Sequence, residues 1–187
     1  MVMKLIPITL RDAMGFVDRN HSHLPAPVGG IFAVGIEGNG SLVCVAILGR
    51  PVARNLCDGF TAEVTRVASD RTTKNAASKA IGAITRAALA VGYTRLVSYT
   101  MLGEPGTVYI ACGWKPVAIS KGGQWARPSR HRSDSDWCGQ KVRWETGPQS
   151  APEDCEVSEC IKSAVGKIKL PERKPQYDLF SRQGNQQ

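Results

Sequence analysis

The sequence predicts an α+β domain, in which helices flank a central mixed, mostly antiparallel sheet that contains one parallel strand pair. Three observations carry this. Residues 60–70 (FTAEVTRVASD) are rich in apolar and β-branched types, residues 71–93 repeat apolar positions at helical spacing, and residues 95–100 are again strand-like. Short connections between them make a right-handed strand–helix–strand unit with parallel strands. Upstream, two apolar strands over 31–36 and 41–48 flank Glu37-Gly-Asn-Gly40, the composition of a hairpin turn. At 187 residues and 42% hydrophobic, the chain is long enough to bury one core without disulfides or a structural metal.

In order, residues 4–9 read as a strand and Leu10–Asn20 as a helix, with Thr9 placed to cap it and Ala13, Phe16 and Val17 on its apolar face. Two prolines and two glycines make residues 21–30 an irregular loop that brings His21 and His23 together. After the hairpin, residues 50–59 form a loop carrying Arg50, Arg54 and Asp58. In the central helix Ala77, Ile81, Ile84, Ala88 and Val91 form the apolar stripe, Arg86 lies off it, and Gly92 stands where a C-terminal cap is expected. A short helix within 106–114 and strands over 115–119 and 140–144 follow, with 121–139 as a long connection. Residues beyond 145 are rich in Pro, Glu, Lys, Ser and Gln. The expected division is a domain over 1–145 and a mobile basic and polar tail over 146–187, with a short helix at 157–168.

A net charge of +8 points to a polyanionic partner, or to an anionic cofactor and substrate. No run of eighteen apolar residues occurs and the first residues lack a signal-peptide core, so a cytoplasmic protein without membrane partners is expected. The six cysteines form no CxxC pair. A zinc site from His131, Cys138, Cys155 and Cys160 fits no common spacing, so no metal is expected and reduced thiols are the reading.

The turn into the central helix carries the first chemistry. Residues 71–78 offer Thr72, Thr73 and Asn75 as caps, Arg71 and Lys74 as cations, and Ala76, Ala77 and Ser78 as small residues. Free backbone N–H groups, the positive end of the helix dipole and a nearby lysine make an anion site suited to a pyrophosphate. An ordinary capped helix would present the same composition.

Further on, Tyr109 is followed by Gly113-Trp114 at the end of a short helix. With the order of elements, this resembles the GNAT superfamily of N-acetyltransferases over roughly residues 4–145. The resemblance implies an acyltransferase that takes acetyl-CoA as cofactor and moves its acetyl group to an amine acceptor by direct attack. The cofactor would lie on Val67 and Ser69 and on the backbone of Lys74, Asn75, Ala76, Ala77 and Ser78, with a strand N–H near Val67 facing the thioester carbonyl. Glu63, expected by alternation to share a face with Thr65 and Val67, would be the base, or else a strand glutamate paired with Arg66 or Arg50. Tyr109 would return a proton to the leaving thiolate, or be packed only. His21 and His23 would wall the acceptor pocket or serve as base. The chain departs from the family's phosphate loop in having no glycine between Arg71 and Ala80.

The acceptor is not given by the fold. His21, His23 and Pro25, Glu63 and Arg66, Ser98 and Tyr99, and Gly106, Tyr109, Ala111, Gly113 and Trp114 together are similar to the phage Mom-type enzymes, GNAT relatives that modify adenine in DNA. The connection over 121–139 interleaves Trp125 and Trp137 with Arg127, Arg130 and Arg132, a composition that grips a phosphate backbone and stacks on bases, or that belongs to a solvated loop. Three functions follow as expectations: acetyl transfer to a small-molecule or protein amine, modification of a nucleic-acid base, and a GNAT-shaped binding protein without catalysis, for which the glycine-free loop is the motive.

Overall fold

The structure is a computed structural model, and it describes residues 2–21, 24–122 and 139–168. The elements are β1 (Met3–Pro7), α1 (Leu10–Asn20), β2 (Phe32–Gly38), β3 (Ser41–Gly49), a single 3-10 turn (Arg54–Leu56), β4 (Thr61–Ser69), α2 (Ala76–Ala90), β5 (Arg95–Met101), α3 (Thr107–Ile110), β6 (Lys115–Ser120), β7 (Lys141–Thr146) and α4 (Cys155–Ala164). Among the described residues the strands form one sheet in the order β1-β2-β3-β4-β5-β7-β6. Only the β4–β5 pair is parallel.

The two faces are built differently. On one, α2 buries Ala76, Ala80, Ile81, Ala83, Ile84 and Ala88 against Ile36, Cys44, Ala46, Leu48, Ala62 and Val64. Alanines dominate that stripe, which lets the helix backbone lie close to the sheet, while Ile81 and Ile84 fill the space between. On the other, α1 places Ala13, Phe16 and Val17 over Val45, Ile47 and Ala68.

Several boundaries shift for identifiable reasons. Thr9 leaves β1 because its hydroxyl accepts the Asp12 N–H at 3.1 Å and caps α1. The hairpin turn is tighter than expected: Asn39 (φ 52°) and Gly40 (φ 78°) both take the left-handed conformation of a two-residue turn, so Glu37 and Gly38 remain in the ladder. Val91, expected on the apolar stripe, is 68% exposed. It caps a helix that ends in a Schellman arrangement, with the Tyr93 N–H on the Ala88 carbonyl and the Gly92 N–H on the Leu89 carbonyl, and Gly92 at φ 105°. The chain past residue 145 does not all behave as a tail. Asp154 caps α4, and Val157 and Ile161, four apart on one helix face, join the α2-side core, so this packing extends beyond the expected boundary.

Two irregularities shape the centre of the sheet. Between β3 and β4 the register passes from Ile47 opposite Arg66 to Leu48 opposite Val64, so Thr65 is an extra residue in β4. The bulge reverses the alternation. Ala62, Val64 and Val67 face the α2 side, whereas Ala68, Arg66 opposite Ile47, and Glu63 opposite Gly49 face the α1 side. The expectation that Glu63 and Val67 share a face is therefore overturned, because alternation holds only in an unbulged strand. The second irregularity is that β4 and β5 pair only at Thr61, Ala62 and Glu63 with Arg95, Leu96 and Val97. Beyond Glu63 the β4–β5 ladder stops, while on its other edge β5 stays paired with β7 from Leu96 to Met101. A wedge opens in the sheet.

Candidate functional site

At the α2 side of the wedge lies a cleft of about 420 Å³. Its walls are Ser69 at the end of β4, the turn and first residues of α2, and Thr107, Val108 and Ala111 from α3 and the residue after it. Of the expected cofactor residues, Ser69, Asn75, Ala76, Ala77 and Ser78 line it. Val67 packs at the edge of the α2-side core, and Lys74 is exposed; neither is part of the lining. The α3 contribution was missed, since a four-residue helix has too little periodicity to show which residues face a neighbour.

The turn has no glycine because aspartate does the holding. The Asp70 carboxylate accepts the N–H groups of Thr72 and Thr73, each at 3.1 Å, and both threonine hydroxyls, at 2.8 and 3.0 Å. Thr72 and Thr73 thus belong to this turn and do not cap α2. Arg71 and Asn75, both at φ 63°, take the left-handed positions that glycine would otherwise fill. Asn75 is the N-cap residue, but its side chain makes no capping bond. The first turn of α2 therefore presents backbone N–H groups without a side-chain cap, at the positive end of a fifteen-residue helix.

Tyr109 stands at the base of the wedge. It is 6% exposed, with its ring stacked on Trp144 (centroids 5.6 Å apart) and edge-on to Trp114 (5.4 Å). Its hydroxyl lies 2.7 Å from the Ser98 hydroxyl, which donates to the Val64 carbonyl at 2.9 Å. Burial pushes the phenol up to about 12, against the opposing bond to Ser98. Gly106 at the start of α3 is required here: a Cβ on it would meet the Trp144 ring at 2.0 Å.

Glu63 faces the other side of the same gap. It is 6% exposed and accepts the Val52 N–H at 2.9 Å. Burial holds its carboxyl above the usual carboxylate range, opposed by that N–H and by the charges of Arg66 and Lys141. Arg66 spends its guanidinium on the Pro25 carbonyl (2.8 Å) and the Thr65 carbonyl (2.6 Å). Next to Glu63 on this face are Tyr99, opposite Arg143, and Val97, opposite Glu145. Burial and then the Glu63 charge raise the Tyr99 phenol, while Arg143 opposes them. Arg143 pairs with the fully buried Glu145 at 3.0 Å, and Glu145 also takes the Ala151 N–H at 2.9 Å. Arg143 and Glu145 gave no signal in sequence: they form no motif, and the strand expected over 140–144 stops short of Glu145, which the structure includes in β7.

The loop after α1 reaches this face. Arg66 holds it at Pro25, the Ala26 N–H donates to Asp18 at 2.7 Å, and His21 Nδ1 accepts the Leu24 N–H at 3.1 Å. His23, Arg127, Arg130 and Arg132 lie outside the described residues. Among the described residues, no group of three or more histidine, cysteine or acidic side chains could hold a metal ion, and no helix is long and apolar enough to cross a membrane.

No family model matches the sequence, and no curated protein matches it. Solved structures do resemble it. An N-acetyltransferase from Staphylococcus aureus Mu50 superposes with a TM-score of 0.57 at 14% identity, over 80% of this chain and 100% of the other. A putative acetyltransferase from Salmonella typhimurium, solved with its cofactor acetyl-CoA, gives 0.58 at 12% identity, over 82% and 99%. The ribosomal-protein-S18-alanine N-acetyltransferase from Escherichia coli gives 0.57 at 12% identity, over 82% and 98%. At such identities the likeness is one of fold.

Proposed function

We propose that this chain, which has the GNAT fold, is an N-acetyltransferase that moves an acetyl group from acetyl-CoA to an amine. The observation that carries the reading is the uncapped start of α2, which opens onto a cleft beside the wedge between β4 and β5. The cleft fits an anionic cofactor. Its lining contains Arg71 and no acidic residue, and Ala76 and Ala77 leave the helix backbone open to close approach. When bound, the cofactor supplies an activated acetyl thioester.

The protein's own groups then divide the work. Backbone N–H groups around residues 75–78 would hold the pyrophosphate, with Ala77 and Ser78 best placed because the Ala76 N–H donates to the Thr73 carbonyl at 3.4 Å, and Lys74 would add positive charge nearby. Ser69, in the cleft lining, and Val67, two residues before it on β4, would flank the cofactor, and a strand N–H near Val67 would polarise the thioester carbonyl. Glu63, desolvated and therefore a stronger base than an exposed carboxylate, takes the proton of the attacking amine from the α1 side of the sheet. Tyr109, buried on the α2 side behind the cleft, would meet the departing sulfur. The gap between β4 and β5 lets the two sides work on one reaction. His21 would wall the acceptor site, which takes a small-molecule or protein amine, and His23 is the second histidine in the sequence of that loop.

The net charge of +8, with Arg127, Arg130 and Arg132 interleaved among tryptophans, favours nucleic acid as a second class of acceptor. Titration calorimetry with acetyl-CoA, followed by thiol release in the presence of amines, tests the main reading. Saturable binding and amine-dependent release of coenzyme A are expected. Absence of binding by the folded protein would overturn it, and binding without release to any acceptor would leave a binding protein on the same fold.

A further inference from the structure

Ser98 has one hydroxyl proton, and the geometry places it on the Val64 carbonyl at 2.9 Å. In the 2.7 Å contact with Tyr109, Ser98 must then be the acceptor and Tyr109 the donor. The two hydroxyls form a one-way chain from Tyr109 through Ser98 to Val64. Its position is specific. Glu63 with Val97 is the last β4–β5 pair, and Val64 and Ser98 are the next residue on each strand. A side-chain bond thus spans the first step of the wedge, where the backbone ladder has stopped.

The Tyr109 ring has no freedom to swing, because Trp144 stacks on it and Trp114 meets its edge. Only the direction of its O–H can change, and Ser98 controls that direction. We propose that Ser98 is a positioning residue for departure of the sulfur: it aims Tyr109 in the resting state, and it turns its own proton from Val64 to the Tyr109 oxygen when Tyr109 donates to the thiolate. This rests on the acyl-transfer reading of the site.

No proton changes hands in this step. A phenol is ordinarily a weaker acid than a thiol, and burial raises the Tyr109 phenol further, which favours keeping the proton on the tyrosine oxygen. Tyr109 then acts by hydrogen bonding to the charge that develops on sulfur. A proton delivered to that sulfur in the end comes from solvent.

The alternative is that Ser98 only stitches β4 to β5. The two are separated by a mutant cycle on acetyl transfer. Ser98→Ala should lower kcat about tenfold with KM for acetyl-CoA within about twofold, and in a Tyr109→Phe background the same change should cost less than about twofold. Ser98→Thr should recover most of kcat. Should the threonine not fit, Ser98→Cys, of similar size but a weak donor, should behave as the alanine variant. A loss of equal size with and without the Tyr109 hydroxyl, or an unchanged kcat in Ser98→Ala, overturns the proposal.

If the wild-type protein transfers no acetyl group, the functional reading fails first, and the hydrogen-bond chain is then read alone. The Cζ resonance of Tyr109, assigned with Tyr109→Phe in tyrosine-labelled protein, should move in Ser98→Ala and return in the threonine or remain moved in the cysteine variant. A resonance unmoved in Ser98→Ala shows that the serine does not hold the tyrosine proton.

Discussion

Glu63 is a costly residue for the fold and a useful one for a base. Its folded pKa is raised, mainly by burial, so the protonated form suits the native state better than the ionised form. The favourable contribution is full below the ordinary carboxylate pKa and is lost as pH rises through the raised folded value. Glu63→Gln removes that loss while keeping an oxygen to accept the Val52 N–H. The variant should melt no lower than wild type at pH 8, yet turn over about 10² to 10⁴ times more slowly. The pH profile of wild-type kcat/KM should fall on the acid side at a pKa above the usual carboxylate range. A variant of near wild-type rate, or an acid limb at an ordinary carboxylate value, would return Glu63 to a structural part. Tyr109→Phe should cost about 10² in kcat, the loss typical of a donor aimed at developing charge, and a loss under about threefold would remove it from the reaction.

At the scale of elements, what could be read in the sequence followed from periodicity, and what could not followed from its interruption. The crossover helix was legible because Ala77, Ile81, Ile84 and Ala88 repeat at its spacing and Gly92 ends it; the hairpin was legible from Asn39-Gly40. The bulge at Thr65 was not legible, since an extra residue leaves a strand's composition unchanged while it exchanges the faces of all that follows. The turn before α2 was half legible. Its cap-forming residues showed, but that Thr72 and Thr73 serve Asp70 depends on where the left-handed residues fall. Two substitutions test this element. Asp70→Ala frees four donors and loosens the turn, so KM for acetyl-CoA should rise about tenfold or more with a much smaller change in kcat. Ala77→Asp places a carboxylate in the cleft lining, where the pyrophosphate is proposed to sit, and should abolish cofactor binding in a folded protein. Calorimetry showing wild-type affinity for either variant would move the cofactor away from the start of α2.

For the whole molecule, the order of elements was readable because the connections from β1 to β5 join neighbours in the sheet, one of them the parallel pair through α2, whereas the step from β5 to β6 leaves a place that β7 fills; the acceptor was not, because a fold hosts many acceptors and charge is a property of the entire surface. The excess of +8 nonetheless makes a measurable claim. If Arg127, Arg130 and Arg132 contact phosphates, the affinity for DNA should fall linearly with salt on a log–log plot, and replacing all three by alanine should make the slope shallower by about two to three. An acceptor that is a small amine or a protein predicts weak binding with a slope indifferent to those three residues. Filter binding across a salt series separates the outcomes. Binding alone does not establish modification, because any basic surface attracts a polyanion. The decisive measurement is mass spectrometry of nucleosides from DNA incubated with the protein and acetyl-CoA: a heavier base, absent with Glu63→Gln, makes nucleic acid the acceptor. Unaltered nucleosides beside rapid acetylation of a small or protein amine assign the positive charge to attraction only.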